Sequence, residues 1–238
     1  MRPRLGDAVS GAAPARAAGT IALCAAVLAA AFVLDWLAPL WGQIAAGLLT
    51  WAAALVFIGR ADAAQRPMLF WCMAWATAGE LFCSLVWGLY TYRLGNIPHF
   101  VPPGHVLLFL MGWHLAPRIP QAAAHALTAA YAGLTLLALI LLQDQFSVLL
   151  FAVYAALYWR AAGLRRLLAT MFGVALGIEL FGTSLGVWGW ADRTPWLGLT
   201  TINPPVAVGA FYGTLDALIV WSIRASASVR RTTLPSPA

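Results

Sequence analysis

Apolar residues fill this chain in long runs separated by short polar breaks. Runs such as Ile21 to Leu34 and Ala132 to Leu142 carry no polar stripe at helical spacing. A helix that is apolar on every face has no side suited to water, so lipid is the expected solvent and a soluble helical bundle is excluded. The runs lie near the roughly 20 residues needed to cross a bilayer core. They predict an all-α, polytopic membrane helix bundle of about eight transmembrane helices, at residues 19–36, 41–59, 68–90, 103–117, 121–142, 146–163, 167–190 and 204–223.

Composition points the same way. The 238 residues are 62% hydrophobic and only 9% charged, where a soluble domain carries about a quarter charged residues. Mean hydropathy is +0.82. The net charge of +6 comes from arginine alone, since the chain has no lysine. A basic chain invites a nucleic-acid reading, but these arginines lie in loops and termini and form no basic face, so no nucleic-acid partner is expected. Arg2, Arg4 and Arg16 precede the first span, and Arg60, Arg66, Arg118, Arg160, Arg165 and Arg166 fall in alternate turns. Arg224, Arg230 and Arg231 follow the last span, and only Arg93 and Arg193 fall on the other side. The positive-inside pattern then places both termini in the cytoplasm of a multi-pass protein, with a bacterial cytoplasmic membrane as the expected setting. The first span is read as retained rather than as a cleaved signal, because an even number of spans puts both basic termini on one side. Cys24, Cys72 and Cys83 lie in apolar stretches, lack metal-ligand or redox spacing, and read as small buried residues.

Two segments about a hundred residues apart resemble each other. Glu80-Leu81-Phe82 and Glu179-Leu180-Phe181 are each followed by a hydroxyl, Ser84 or Thr183, then a glycine, Gly88 or Gly186, then two aromatics, Tyr90 and Tyr92 or Trp188 and Trp190. Each ends in a double proline, Pro102-Pro103 or Pro204-Pro205, read as opening the next helix, where the missing amide costs nothing. His114 and Asp216 stand at equal distances beyond their prolines. With four spans between the copies, the halves share one orientation, which is the signature of a parallel duplication of a four-helix unit. The chain then divides into a cytoplasmic N-terminal segment (1–18), a first repeat (19–118), a second repeat (119–225) and a basic cytoplasmic tail (226–238).

Counted along regular helices, Glu80, Glu179, His114 and Asp216 all reach the middle of the membrane. A charge there costs roughly 2.5–3.5 kcal/mol on insertion scales, so these side chains are expected to face the protein interior. One reading is structural, with neutral carboxyls hydrogen-bonded to neighbouring helices. The other is a polar pocket in which one carboxyl donates a proton while a second carboxylate or a histidine accepts one, making these four the candidate catalytic residues. Ser84 and Thr183 are read as orienting the glutamates. His105 is nine residues from His114 and so on the opposite helix face; it is a candidate at the pocket mouth. His99 and His125 read as solvent-edge residues. The two glutamates, His114 and Asp216 also form a conceivable metal set, but no pairing places two ligands on one helical face, so no metal or other cofactor is expected. Gly173 with Gly177, and Gly182 with Gly186, fit the spacing of close helix packing.

The 12 tryptophans, 6 tyrosines and 11 phenylalanines include a cluster at the outer interface: Trp36, Trp41, Tyr90, Tyr92, Trp188, Trp190 and Trp196. Most are expected to form an aromatic belt. If some turn inward beside the glutamates, Tyr90, Tyr92 and Trp188 foremost, they would suit a conjugated or isoprenoid substrate by stacking, or a developing carbocation by cation–π attraction.

The stretch from Glu80 to Pro102, with Gly88-Leu89-Tyr90-Thr91-Tyr92, Leu94-Gly95 and Val101-Pro102, resembles the membrane-bound carotenoid hydratases of bacteria and archaea. It departs from them in having Val86-Trp87 where a proline-phenylalanine turn would stand, and it lacks the paired acidic motif of the related small lycopene cyclases. Those proteins are multi-helix bundles that act on long polyenes through protonation, and the resemblance implies that Glu80 is the acid. The leading expectation is a membrane-embedded enzyme using acid–base chemistry on a lipophilic, isoprenoid or carotenoid substrate, with the bilayer and that small molecule as its partners. A small proton-coupled carrier, or a scaffold for a larger membrane complex, remain as alternatives.

Overall fold

The computed structural model describes residues 14–233; Arg2, Arg4 and the last five residues of the basic tail lie outside them. Among the described residues there are eight α-helices: α1 (Pro14–Leu37), α2 (Pro39–Arg60), α3 (Gln65–Glu80), α4 (Val101–Leu115), α5 (Gln121–Leu142), α6 (Gln145–Arg160), α7 (Arg165–Ser184) and α8 (Gly209–Thr233). The class is all-α. Two three-residue strands, β1 (Tyr90–Tyr92) and β2 (Trp188–Trp190), form the single small sheet among these residues.

Five helical stretches are long and apolar enough to cross a membrane: Ala15–Leu37, Pro39–Arg60, Gln65–Val86, Gln121–Leu142 and Ala162–Ser184. α4 and α6 have 15 and 16 residues, short of the roughly 20 expected of a span. α8 is long but carries Asp216 and Arg224. The outer surface is apolar, as a lipid-facing surface should be. On α5, Leu136, Ile140 and Leu141 are 57%, 61% and 67% exposed.

Three predicted boundaries shift. The third and seventh spans stop well before residues 90 and 190. α3 passes into a π-helical turn at Leu81–Val86, α7 ends at Ser184, and in each case a glycine with positive φ, Gly88 (73°) or Gly186 (66°), lets the chain fold back on itself. The eighth span opens at Gly209 rather than at the prolines, because Val206 to Val208 form a turn. Pro102 and Pro103, by contrast, do sit in the first turn of α4.

α3, α4, α7 and α8 pack as a ring, each touching the next. α1 and α2 lie against α4, while α6 lies against α8 and α5 against α6 and α7. At the α5–α6 turn, Gln143 takes a left-handed conformation (φ 57°) and Asp144 caps α6, accepting from the Ser147 amide at 3.2 Å and its hydroxyl at 2.5 Å. Asp144 also accepts from Val206 N and Ser147 Oγ from Ala207 N, both at 3.0 Å. These bonds fix the start of α8 against α6.

Candidate functional site

The antiparallel pairing of β1 and β2 sets Tyr90 opposite Trp190, Thr91 opposite Gly189 and Tyr92 opposite Trp188. Alternate strand residues share a face, so all four large rings lie on one side of the ribbon. Those rings are buried, while Thr91 is exposed. Tyr90 and Trp190 have ring centroids 4.7 Å apart, and Tyr92 and Trp188 6.0 Å apart.

The ribbon closes over the two glutamates. Glu80 Oε2 accepts from the Tyr90 hydroxyl at 2.9 Å and the Tyr92 hydroxyl at 2.7 Å. Glu179 Oε2 accepts from Trp188 Nε1 at 2.8 Å and Trp190 Nε1 at 3.1 Å. The second oxygen of each meets the helix that follows: Glu179 Oε1 accepts from Tyr212 at 2.8 Å, and Glu80 Oε1 faces His105 Nε2 at 3.7 Å. His105 and Tyr212 stack on each other, centroids 5.4 Å apart and planes within 11°. Glutamates, ribbon aromatics, His105 and Tyr212 all line one cavity of about 200 Å³, whose remaining wall is largely apolar, including Leu28, Phe32 and Leu108.

That cavity comes nearest the surface beside α3 and α8, where its wall includes exposed Gly79. Exposed Gly79 and half-buried Cys83 line it on one side, half-buried Thr214, Leu215 and Leu218 on the other. Further along the same pair of helices, Trp75 Nε1 donates to Ser222 Oγ at 2.9 Å. The ribbon is pinned by Arg93, just after β1. Its guanidinium donates to Gly186 O (3.0 Å) and Leu185 O (2.5 Å) beyond α7 and to Asp35 O (2.9 Å) near the end of α1. These carbonyls lack partners of their own at helix ends.

The structure therefore brings Glu80, Glu179, His105, Tyr90, Tyr92 and Trp188 together, and the ribbon aromatics turn inward rather than joining the belt. Trp36, Trp41 and Trp196 are exposed. Four other candidates are placed elsewhere. His114 does not line the cavity; it lies on the face of α4 opposite His105, half-buried, with Arg118 donating to its carbonyl. Asp216 is fully buried but outside the cavity wall, and neither of its oxygens has a hydrogen-bond partner. Ser84 and Thr183 do not orient the carboxylates: Ser84 donates to Tyr90 O at 3.1 Å and Thr183 to Glu179 O at 2.7 Å, both backbone carbonyls. Gly182 and Gly186 are no helix-packing stripe either. A methyl on Gly182 would overlap the Trp188 ring, and Gly186 makes the turn.

Tyr212 was not a sequence candidate. Counting from the prolines drew attention to Asp216, one turn further on, whereas the late start of α8 places Tyr212 in its first turn, much as His105 stands early in α4. Among the described residues no group of three His, Cys, Asp or Glu side chains gathers as metal ligands would. Compared with known protein families, curated proteins and solved structures, the chain matches none.

Proposed function

We propose that this chain is a membrane-embedded enzyme that moves a proton to and from a lipophilic, isoprenoid or carotenoid substrate entering sideways from the bilayer. All eight helices cross the membrane, both termini are cytoplasmic, and the halves descend from a parallel duplication of a four-helix unit. The duplication rests on the matched way in which each glutamate is held: two ribbon aromatics on one oxygen, a residue of the following helix on the other. The copies differ in spacing by one residue, eight from Glu80 to Gly88 against seven from Glu179 to Gly186. The π turn after Glu80 absorbs the extra residue, since each of its bonds spans one more residue than in an α-helix.

The observation that carries the reaction is the unequal provision made for the two carboxyls. Glu179 is met by two indole N–H groups, which can only donate, and by the Tyr212 hydroxyl, an arrangement suited to a fixed carboxylate. Glu80 has one oxygen open to the cavity with His105 beside it. His105 Nδ1 lies 3.0 Å from Val101 O, so that nitrogen carries a hydrogen and Nε2 is the basic one. The reacting proton is assigned to this pair, Nε2 and Glu80 Oε1 3.7 Å apart, in a wall that is otherwise largely apolar. Transferred to a substrate double bond, it forms a C–H bond and leaves a carbocation at the neighbouring carbon. The Glu179 charge and the faces of Tyr90 and Trp190 stabilise that cation. Water then adds with loss of a proton, or a proton leaves an adjacent carbon, and Glu80 and His105 recover theirs.

A proton-coupled carrier would use the same carboxyls. The enzyme reading is favoured by a largely apolar wall that includes exposed Gly79 of α3 and half-buried Leu215 and Leu218 of α8. Glutamine is isosteric at both positions and can still satisfy its neighbours, because a tyrosine hydroxyl also accepts from an amide. E80Q and E179Q are expected to fold normally yet give no turnover of an acyclic carotenoid supplied in vesicles. Full activity in both would overturn the proposal.

A further inference from the structure

At the end of the bundle remote from the ribbon, a second cavity of about 470 Å³ lies between α6, the α6–α7 turn and α8. Val153, Ala156, Leu157 and Trp221 give it an apolar wall, and the small side chains of Ala161 to Gly163 leave its floor open. Two exposed arginines, Arg160 and Arg224, stand on it. Neither guanidinium has a protein partner among the described residues. Nearby arginines are otherwise engaged. Arg165 donates to Tyr158 O at 3.0 Å and Trp159 O at 3.5 Å and lies over both rings, and Arg166 donates to Pro117 O at 3.4 Å. Asp62 is the one acid among the described loop residues at this end, and it is bound to the Ala64 and Gln65 amides at 2.9 and 2.7 Å.

We propose that this cavity binds an anionic glycerophospholipid. Its phosphate sits between Arg160 and Arg224, and one acyl chain runs along α6 and α8 over Val153, Ala156, Leu157 and Trp221. Guanidinium groups match phosphate oxygens in geometry and charge, and basic pockets between membrane helices are sites for anionic headgroups. An apolar wall continuous with the arginine pair selects a lipid over a free anion. The site requires only that the chain lie in a bilayer, and it is independent of the chemistry at Glu80 and Glu179.

Purified protein in maltoside detergent, offered equal phosphatidylglycerol and phosphatidylcholine with matched chains, should retain the former several-fold more in native mass spectrometry. R160Q/R224Q should lose that preference, while R60Q, which removes an exposed arginine at the same end, should keep it. Millimolar inorganic phosphate should leave the bound lipid in place. Phosphatidylglycerol brominated in its chains should quench the tryptophan fluorescence of the unsubstituted protein more than that of W221F, a reading that does not depend on the arginine variants. Preference persisting in the double variant, equal loss in R60Q, displacement by phosphate alone, or equal quenching in W221F would each overturn the proposal.

Discussion

Tyr212 donates 2.8 Å to Glu179 while its ring stacks on His105, so one side chain joins Glu179 to the neighbourhood of Glu80. Y212F keeps the stack and removes the donor. A hydrogen bond to a charged group contributes about 1.5–3 kcal/mol, and loss of it should lower the midpoint of thermal unfolding measurably. Turnover should fall but not vanish, since both indole donors remain on Glu179. The glutamates were legible in the sequence because an acid amid apolar residues stands out at any register. Tyr212 was not, because tyrosine in an apolar helix is unremarkable until its hydroxyl has a partner.

Among the elements, the ribbon does most to shape the site, and it was the least visible in advance. Runs of apolar and aromatic residues continue past Glu80 and Glu179 without a break in pattern, so regular helices to residues 90 and 190 were the natural expectation. In the sequence Gly88 reads as part of a repeat, and Gly186 as part of that repeat and of a helix-packing pair with Gly182. What they provide is a positive φ, which reverses each chain and sends the aromatics back onto the glutamates. G186A should cost about 1–2 kcal/mol at this left-handed position and loosen Trp188 and Trp190 from Glu179. R93A removes bonds to both α7 and α1 and should make the ribbon amides exchange faster by hydrogen–deuterium mass spectrometry, while helix content by circular dichroism stays the same. The count from the prolines that chose His114 and Asp216 assumed that both pairs open a helix. Only the first does, so a match in sequence spacing became a mismatch in space.

For the whole molecule, the all-α class and the apolar outer surface, with Leu136, Ile140 and Leu141 exposed together, followed from periodicity alone. Where the cavity forms depends on which helices pack side by side, and no pattern within a single helix contains that information. The exposed position of Gly79 in the cavity wall makes a further prediction. G79W places a large ring at that position, where nothing lies within 4 Å of the glycine. It should raise KM for a long polyene at least several-fold, with little change in unfolding temperature. Unchanged kinetics would mean that substrate does not enter there.

The most direct measurement is of where the proton goes. Turnover of an acyclic carotenoid by the reconstituted protein in heavy water, with the product examined by mass spectrometry and NMR, should place one non-exchangeable deuterium on a substrate carbon. E80Q should give neither product nor label. A product free of carbon-bound deuterium, or label incorporated at the normal rate by E80Q, would contradict the Glu80–His105 pair as the source of the reacting proton.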